Sequence, residues 1–185
     1  MLESDALRWY ALHVRSRHEK SVFAQLNAKH QLAFLPLYTS KHRWADRWKA
    51  VSLPLFPGYV FCQLDIAYRT SVLATSGVID IVRSGTVPAP IETAELEAIQ
   101  AVVNSPLPTG PHAGLVEGER VVMTDGPLQG LAGVVIEVRK NPRLVLSVQL
   151  LQRSVLVEIK REWATPIMPI RSALSLLKPG DRLAV

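Results

Sequence analysis

Apolar and polar positions change rhythm midway along this chain, and each rhythm predicts its own set of elements. Residues 9–14 are apolar and aromatic with β-favouring types, which predicts a first strand. Ser16 and Glu19 then stand at capping-box spacing, a hydroxyl followed three residues on by a carboxylate. The helix after them places Val22, Phe23 and Leu26 on one face, with Lys20, Gln25 and Lys29 elsewhere, and should end near His30. Residues 32–38 predict a second strand, and Ala45-Asp46 a hairpin tip between arms over 39–44 and 47–53. A central strand follows over residues 58–64. In it Tyr59, Phe61 and Gln63 point to one sheet face, and Val60, Cys62 and Leu64 to the other. Asp65 caps a short helix that runs to Ala74 and stops at Gly77. Residues 78–82 predict another strand, and Ser84-Gly85-Thr86 turns the chain. Pro88 and Pro90 lead into a helix over 92–103. Glu92, Glu95 and Glu97 lie in its early turns, where the helix dipole favours negative charge. Its apolar stripe is Leu96, Ile99, Val102 and Val103. The order β-α-β-β-β-α-β-α predicts an α+β domain, an antiparallel sheet flanked by helices.

Residues 105–114 break all periodicity with three prolines and two glycines, the composition of a partly stiff, extended linker. Beyond them only short strands are predicted, over 120–124, 134–138, 144–150, 154–159 and 162–167. Asp125-Gly126-Pro127 and Asn141-Pro142-Arg143 are turn signals between them. Such a run suits a small antiparallel barrel, which closes its edges instead of exposing them. The predicted organisation is a first domain over 8–104, the linker over 105–114, a barrel over 115–169, and a loosely ordered tail over 170–185. In that tail Leu174 to Leu177 reads as a short amphipathic turn.

Composition narrows the chemistry. The chain has 185 residues, a net charge of +5 and 48% hydrophobic residues, suited to one or two globular domains with a nucleic-acid neighbour allowed but not required. The single cysteine, Cys62, rules out an internal disulfide and a cysteine-rich zinc site, and its place in a strand pattern makes it a small buried hydrophobe. The first residues lack the basic-then-apolar order of a signal peptide, and no apolar run approaches the roughly 20 residues that span a bilayer. A soluble, cytoplasmic protein with no membrane contact is expected. His13, His18, His30 and His42 do not pair at metal spacing. The sequence has neither a nucleophile elbow nor a phosphate-binding loop. Neither an enzyme nor a cofactor is expected.

One stretch remains unexplained by ordinary core building: Leu53-Pro54-Leu55-Phe56-Pro57-Gly58-Tyr59-Val60-Phe61. Pro57 fixes its own φ and pushes Phe56 toward extended geometry, and Gly58 lets the backbone make a corner. Two rings beside Phe56 then give one face of the strand a large aromatic patch. That patch is either a second core face under helices or a docking surface for a partner. At this point the chain resembles the NusG family of transcription elongation factors. The marks in the first domain are Trp9-Tyr10, the Phe-Pro-Gly block, and Gly77-Val78-Ile79-Asp80-Ile81-Val82-Arg83 before Gly85. In the second they are Gly118-Glu119-Arg120-Val121 and Asp125-Gly126-Pro127-Leu128-Gln129-Gly130-Leu131-Ala132-Gly133-Val134-Val135, which resemble a KOW motif. Leu-Pro-Leu before Phe56, Val-Arg-x-Gly at 82–85 and the compact segment over 39–53 look most like the specialised RfaH and UpxY branch.

The resemblance implies an NGN domain followed by a small SH3-like KOW barrel. It implies binding to RNA polymerase, at the clamp helices of the largest subunit, through Tyr10, Phe56, Pro57, Tyr59 and Phe61 with Ile81 nearby. For Tyr10 a plain first-strand core role is the alternative. A second contact, with the opposite polymerase pincer or non-template DNA, falls on Tyr68, Arg69, Thr70 and Ser71, where the RfaH-type His-Thr-Thr is not preserved. Arg69 is suited to phosphate and Tyr68 to base stacking. Arg15, Arg17, His18 and Lys20, with Lys41, His42, Arg43, Arg47 and Lys49, either line a path for upstream or non-template DNA or form a solvated charged surface. In the barrel, Leu128, Leu131, Leu150, Leu151 and Arg153 match positions that recruit Rho or a small-subunit ribosomal protein, with barrel core as the alternative for Leu150. Residues 134–138 and 144–150 favour that barrel over the helical hairpin that the RfaH C-terminal domain adopts. A monomer that suppresses pausing and termination is the implied function. A housekeeping NusG factor and a ribosome- or RNA-binding KOW protein are the alternatives, and the last expects Phe56 and Tyr59 to be buried.

Overall fold

The computed structural model of the chain describes residues 7–44, 47–113, 118–138 and 141–167. The predicted hairpin tip at Ala45-Asp46 and the predicted tail over 170–185 lie outside the described residues. The first sheet holds β1 (Arg8–Val14), β2 (Leu32–Phe34), β5 (Tyr59–Leu64) and β6 (Val78–Ile81) in the order β2-β5-β1-β6. Every pair in it is antiparallel. The central pair aligns Ala11 with Phe61 and His13 with Tyr59, so these residues share a face.

Helix α1 (Glu19–Ala28) covers the opposite face, burying Val22 and Leu26 with Tyr10, Leu12, Val14, Val60, Cys62, Leu64 and Ile81. A short α2 (Thr70–Leu73) closes this core with Val72. It follows a 3-10 turn over Ile66–Tyr68, whose first amide bonds are capped by Asp65, as its sequence position predicts: Ala67 N–H donates to Asp65 Oδ1 at 2.9 Å. The predicted second strand is two elements, β2 and β3 (Leu37–Trp44), because Pro36 removes a donor where the chain leaves the sheet. Strand β3 pairs with β4 (Arg47–Pro54) over eight residues on each arm, from Leu37↔Pro54 to Trp44↔Arg47. The predicted turn at Gly85 sits between β7 (Arg83–Ser84) and β8 (Val87–Pro88), with Gly85 at φ +63.

Helix α3 (Thr93–Asn104) buries Leu96, Ile99 and Val102, three of the four residues of its predicted stripe. The chain then enters a sheet of six strands. Their order is β14 (Ala164–Pro166), β10 (Glu119–Met123), β11 (Ala132–Val138), β12 (Asn141–Val148), β13 (Arg153–Glu158) and β9 (Thr109–Ala113). The fold is therefore an α+β antiparallel-sheet domain followed by an all-β, KOW-like barrel. The linker expectation changes here. Residues 109–113 are not a free connection but an edge strand, paired with β13 from Thr109↔Val157 to Ala113↔Arg153. An edge tolerates Pro111, because the missing N–H faces no second neighbour. The turn predicted at Asn141-Pro142-Arg143 is likewise the start of β12, on the ladder opposite β11.

Candidate docking face and the interdomain contact

The Phe-Pro-Gly corner forms as its sequence requires. Gly58 takes φ +86, and Tyr59 N–H donates to Phe56 O at 3.1 Å to close the turn. The corner is also tied from a distance. Glu19 does not complete the predicted capping box: α1 begins after His18 without a side-chain cap. Instead Glu19 is buried, and its Oε1 accepts a 2.8 Å bond from Gly58 N–H. The first turn of α1 thereby holds the corner and the start of β5.

The structure divides the predicted docking residues. Phe56 and Phe61 stand edge to face with ring centroids 5.5 Å apart, and Phe34 lies beside Phe61 at 6.2 Å. Tyr59 is half-buried on the same face, 5.7 Å from the His13 ring, and Pro57 is exposed at the corner. Tyr10 and Ile81 belong to the core on the other side of the sheet. Phe56 and Phe61 are not open to solvent; they are 1% and 0% exposed. They share one buried cluster with Leu96, Ile99 and Val102 of α3 and with barrel residues that include Met123, Leu146 and Val148. Helix α3 meets the barrel along β12. Phe56 and Phe61 are thus closed off from solvent, in a cluster that runs on through α3 into the barrel, while Tyr59 and Pro57 keep part of this face at the surface.

Among the described residues, the seam between α3 and the barrel carries a polar tie. Gln149 N–H donates to Glu95 Oε1 at 3.2 Å. Burial lifts the Glu95 carboxyl above its ordinary value, the Gln149 bond opposes this, and the charge of Glu92 adds to it. No signal in the sequence pointed to this pair, because nothing local requires a first-turn glutamate to meet the other domain. On the far side, burial pushes the Cys62 thiol up to about 11, so it stays a protonated core group at neutral pH.

These features meet a known pattern. The sequence profile of the family described as transcription termination factor NusG matches residues 7–100. The transcription termination/antitermination protein NusG of Pseudomonas aeruginosa is 31% identical over 170 residues, covering 84% of this chain and 96% of that protein. The chain belongs to the NusG family. The NusG of Rickettsia conorii is 24% identical over 170 residues, covering 85% of this chain and 88% of its own. In fold, the chain resembles the structure described as domain interaction in Thermotoga maritima NusG. That likeness has a TM-score of 0.54 at 20% identity and covers 87% of this chain and 97% of that one. NusG-family proteins are transcription factors that bind RNA polymerase. Among the described residues, no helix is long and apolar enough to cross a membrane.

The other candidate residues of this NusG-family chain fall into separate places. Tyr68, Arg69, Thr70 and Ser71 form one exposed stretch at the start of α2, with Tyr68 76% exposed. Arg69 Nη1 donates back to Ile66 O at 3.3 Å, and Lys29 Nζ donates to Ser71 O at 3.1 Å. Arg15, Arg17, His18 and Lys20 are exposed around the β1–α1 connection. Lys20 Nζ donates to Ser52 O at 2.7 Å, which brings this connection beside the β3–β4 hairpin. Lys49 is exposed on that hairpin; the side chains of Lys41, His42, Arg43 and Arg47 lie outside the described residues. In the barrel, Leu128 and Leu151 are core, whereas Leu131, Leu150 and Arg153 are half-buried. Leu150 lines a groove against Arg83, Gly85 and Pro90 of the first domain.

Proposed function

We propose that the protein is a specialised NusG-family antitermination factor that docks on the clamp helices of RNA polymerase and suppresses pausing and termination. The observation that carries this reading is the Phe-Pro-Gly corner on a family-matched domain, with Pro57 and Tyr59 at its surface and an aromatic pair directly beneath. Binding across both polymerase pincers, with Tyr68 to Ser71 as the second contact, favours the closed, active state over the paused one; the mechanism is a shift of populations. The basic group at Arg15, Arg17 and Lys20 would then lie along upstream or non-template DNA. Because Phe56 and Phe61 share a core with α3 and the barrel, full docking competes with barrel packing. Once free, the barrel would recruit a second protein, Rho or a ribosomal protein, through Leu131, Leu150 and Arg153.

The test is binding of the full chain to purified polymerase. Phe56→Ala is a poor probe, because emptying a buried ring site costs about 3–5 kcal/mol of stability. Tyr59→Ala and Pro57→Ala leave the core in place. Tyr59→Ala is expected to weaken binding by about 2 kcal/mol, a factor of about 30, with an unchanged circular dichroism spectrum. Wild-type affinity in the folded variant overturns the docking face. A housekeeping NusG role is the second reading, favoured by the 31% identity to a NusG of broad name. It predicts equal effects on transcription of unrelated operons, where the specialised reading predicts effects confined to a few.

A further inference from the structure

The stretch that leads into the Phe-Pro-Gly corner is short of backbone donors. It runs Leu53-Pro54-Leu55-Phe56-Pro57-Gly58, and neither Pro54 nor Pro57 carries an N–H. Packing holds its inner part: Leu55 and Phe56 are each 1% exposed. Packing does not hold the outer part. Pro57 is exposed, and a Cβ on Gly58 would meet nothing within 4 Å. Gly58 also takes φ +86, a region that glycine enters and leaves with little steric penalty. The direction in which the corner presents its two surface neighbours, Pro57 and Tyr59, is therefore set by the hydrogen bonds that Gly58 makes.

The end of β1 and the first turn of α1 supply those bonds. Val14 N–H donates to Gly58 O at 2.9 Å, and Glu19 Oε1 accepts from Gly58 N–H at 2.8 Å. Both polar groups of the glycine peptide are held from the same stretch of chain. The next residue reaches the other end of the segment, where Lys20 Nζ donates to Ser52 O at 2.7 Å. Consecutive side chains at the start of α1 thus bracket the corner. The Val14 bond is made by backbone whatever residue stands there; the Glu19 bond depends on a side chain. Glu19 is itself only 6% exposed, which leaves its carboxylate little freedom to turn away.

We infer that Glu19 is a positioning residue for the docking face: by fixing Gly58 from beneath, it holds Pro57 and Tyr59 in the arrangement that binds. The inference rests on the reading of this corner as the polymerase docking site. What Glu19 supplies is pre-organisation. A corner that must be ordered at the moment of binding loses affinity even though every contact residue is intact.

The experiment compares Glu19→Ala and Glu19→Gln with wild type in the intact chain, read by amide hydrogen exchange and by affinity for purified polymerase. Glu19→Ala should speed exchange at Gly58 by about tenfold or more, while the Val22 and Leu26 amides of α1 stay near wild type. Glu19→Gln keeps an acceptor and should leave Gly58 near wild type. Glu19→Ala should bind polymerase about three- to tenfold more weakly. A double-mutant cycle separates positioning from a general loss of stability. On a background of Pro57→Ala with Tyr59→Ala, Glu19→Ala should cost almost no further affinity, because the side chains it positions are gone. An undiminished loss on that background overturns the inference. So does Gly58 exchange that is unchanged in Glu19→Ala, or that rises equally in Glu19→Gln. The two readings fail differently. If the Pro57→Ala, Tyr59→Ala chain itself binds like wild type, the docking site is elsewhere and the inference falls with it. If that chain binds weakly while Glu19→Ala binds like wild type, the docking site stands and the inference alone is overturned.

Discussion

Glu19 shows how much a single buried group can decide. In the sequence it completes a capping box; in the fold it leaves its own helix unserved and accepts Gly58 N–H instead. Removing that acceptor leaves a part-buried donor unpaired, at a cost of about 1 kcal/mol. Glu19→Ala should therefore lower the urea midpoint clearly, and Glu19→Gln, which keeps an acceptor, should lower it less. Equal loss in both would mean that the charge, not the bond, matters. Two glycines make a second comparison. Gly58 and Gly126 both sit at positive φ, but a Cβ on Gly58 meets nothing within 4 Å, whereas one on Gly126 lies 2.7 Å from the Trp163 ring. Gly58→Ala should cost about 1 kcal/mol of backbone strain. Gly126→Ala adds a collision with a ring that also receives Lys160 Nζ at 5.3 Å, so it should be the more damaging by thermal melt.

At the scale of elements, α3 has the largest role. A helix with one apolar stripe normally covers one sheet. Here Leu96, Ile99 and Val102 belong to a cluster that continues into the barrel. The half-buried Ala98, Ala101 and Val103 widen the stripe enough for a second neighbour. Ile99→Ala should cost about 2–5 kcal/mol. Because the cluster is shared, amide hydrogen exchange should rise in β12 as well as in β5; protection lost in β5 alone would show that the two cores are independent. Strand β9 makes the same point about boundaries. Proline and glycine mark a break in rhythm, yet the edge of a sheet accepts the same residues, and only the presence of β13 alongside distinguishes the two.

Among the described residues, the first domain meets the barrel through a shared apolar cluster and the Glu95–Gln149 bond, so this contact should depend on pH. In the closed form the Glu95 carboxyl binds its proton more tightly than its ordinary value of 4.5. In an opened form it would be in water, near that ordinary value. The closed form therefore gains as pH falls into the carboxylate range, and loses that contribution as pH rises through the raised value. Interdomain fluorescence transfer across the seam should increase on mild acidification, and Glu95→Gln should flatten the response. An unchanged response in the variant would place the pH dependence elsewhere.

Local pattern determined the elements and their order. Alternation set the two faces of β5, proline and glycine set the corner at 56–58, and period-3.6 spacing set α3, because these properties belong to a few neighbouring residues. The family blocks were legible for the same reason. The exposure of the aromatic face was not. Phe56 and Phe61 look alike in sequence whether they face water, a partner or another domain, and burial is a property of what lies above them. Tyr10 and Ile81 were placed on the far side by strand register, which a pairing partner fixes. The Glu95–Gln149 tie joins residues 54 positions apart, and its strength depends on the desolvation that the barrel supplies. The sequence by itself determined which surfaces were built; the tertiary structure decided which of them face water, because only packing removes a surface from it.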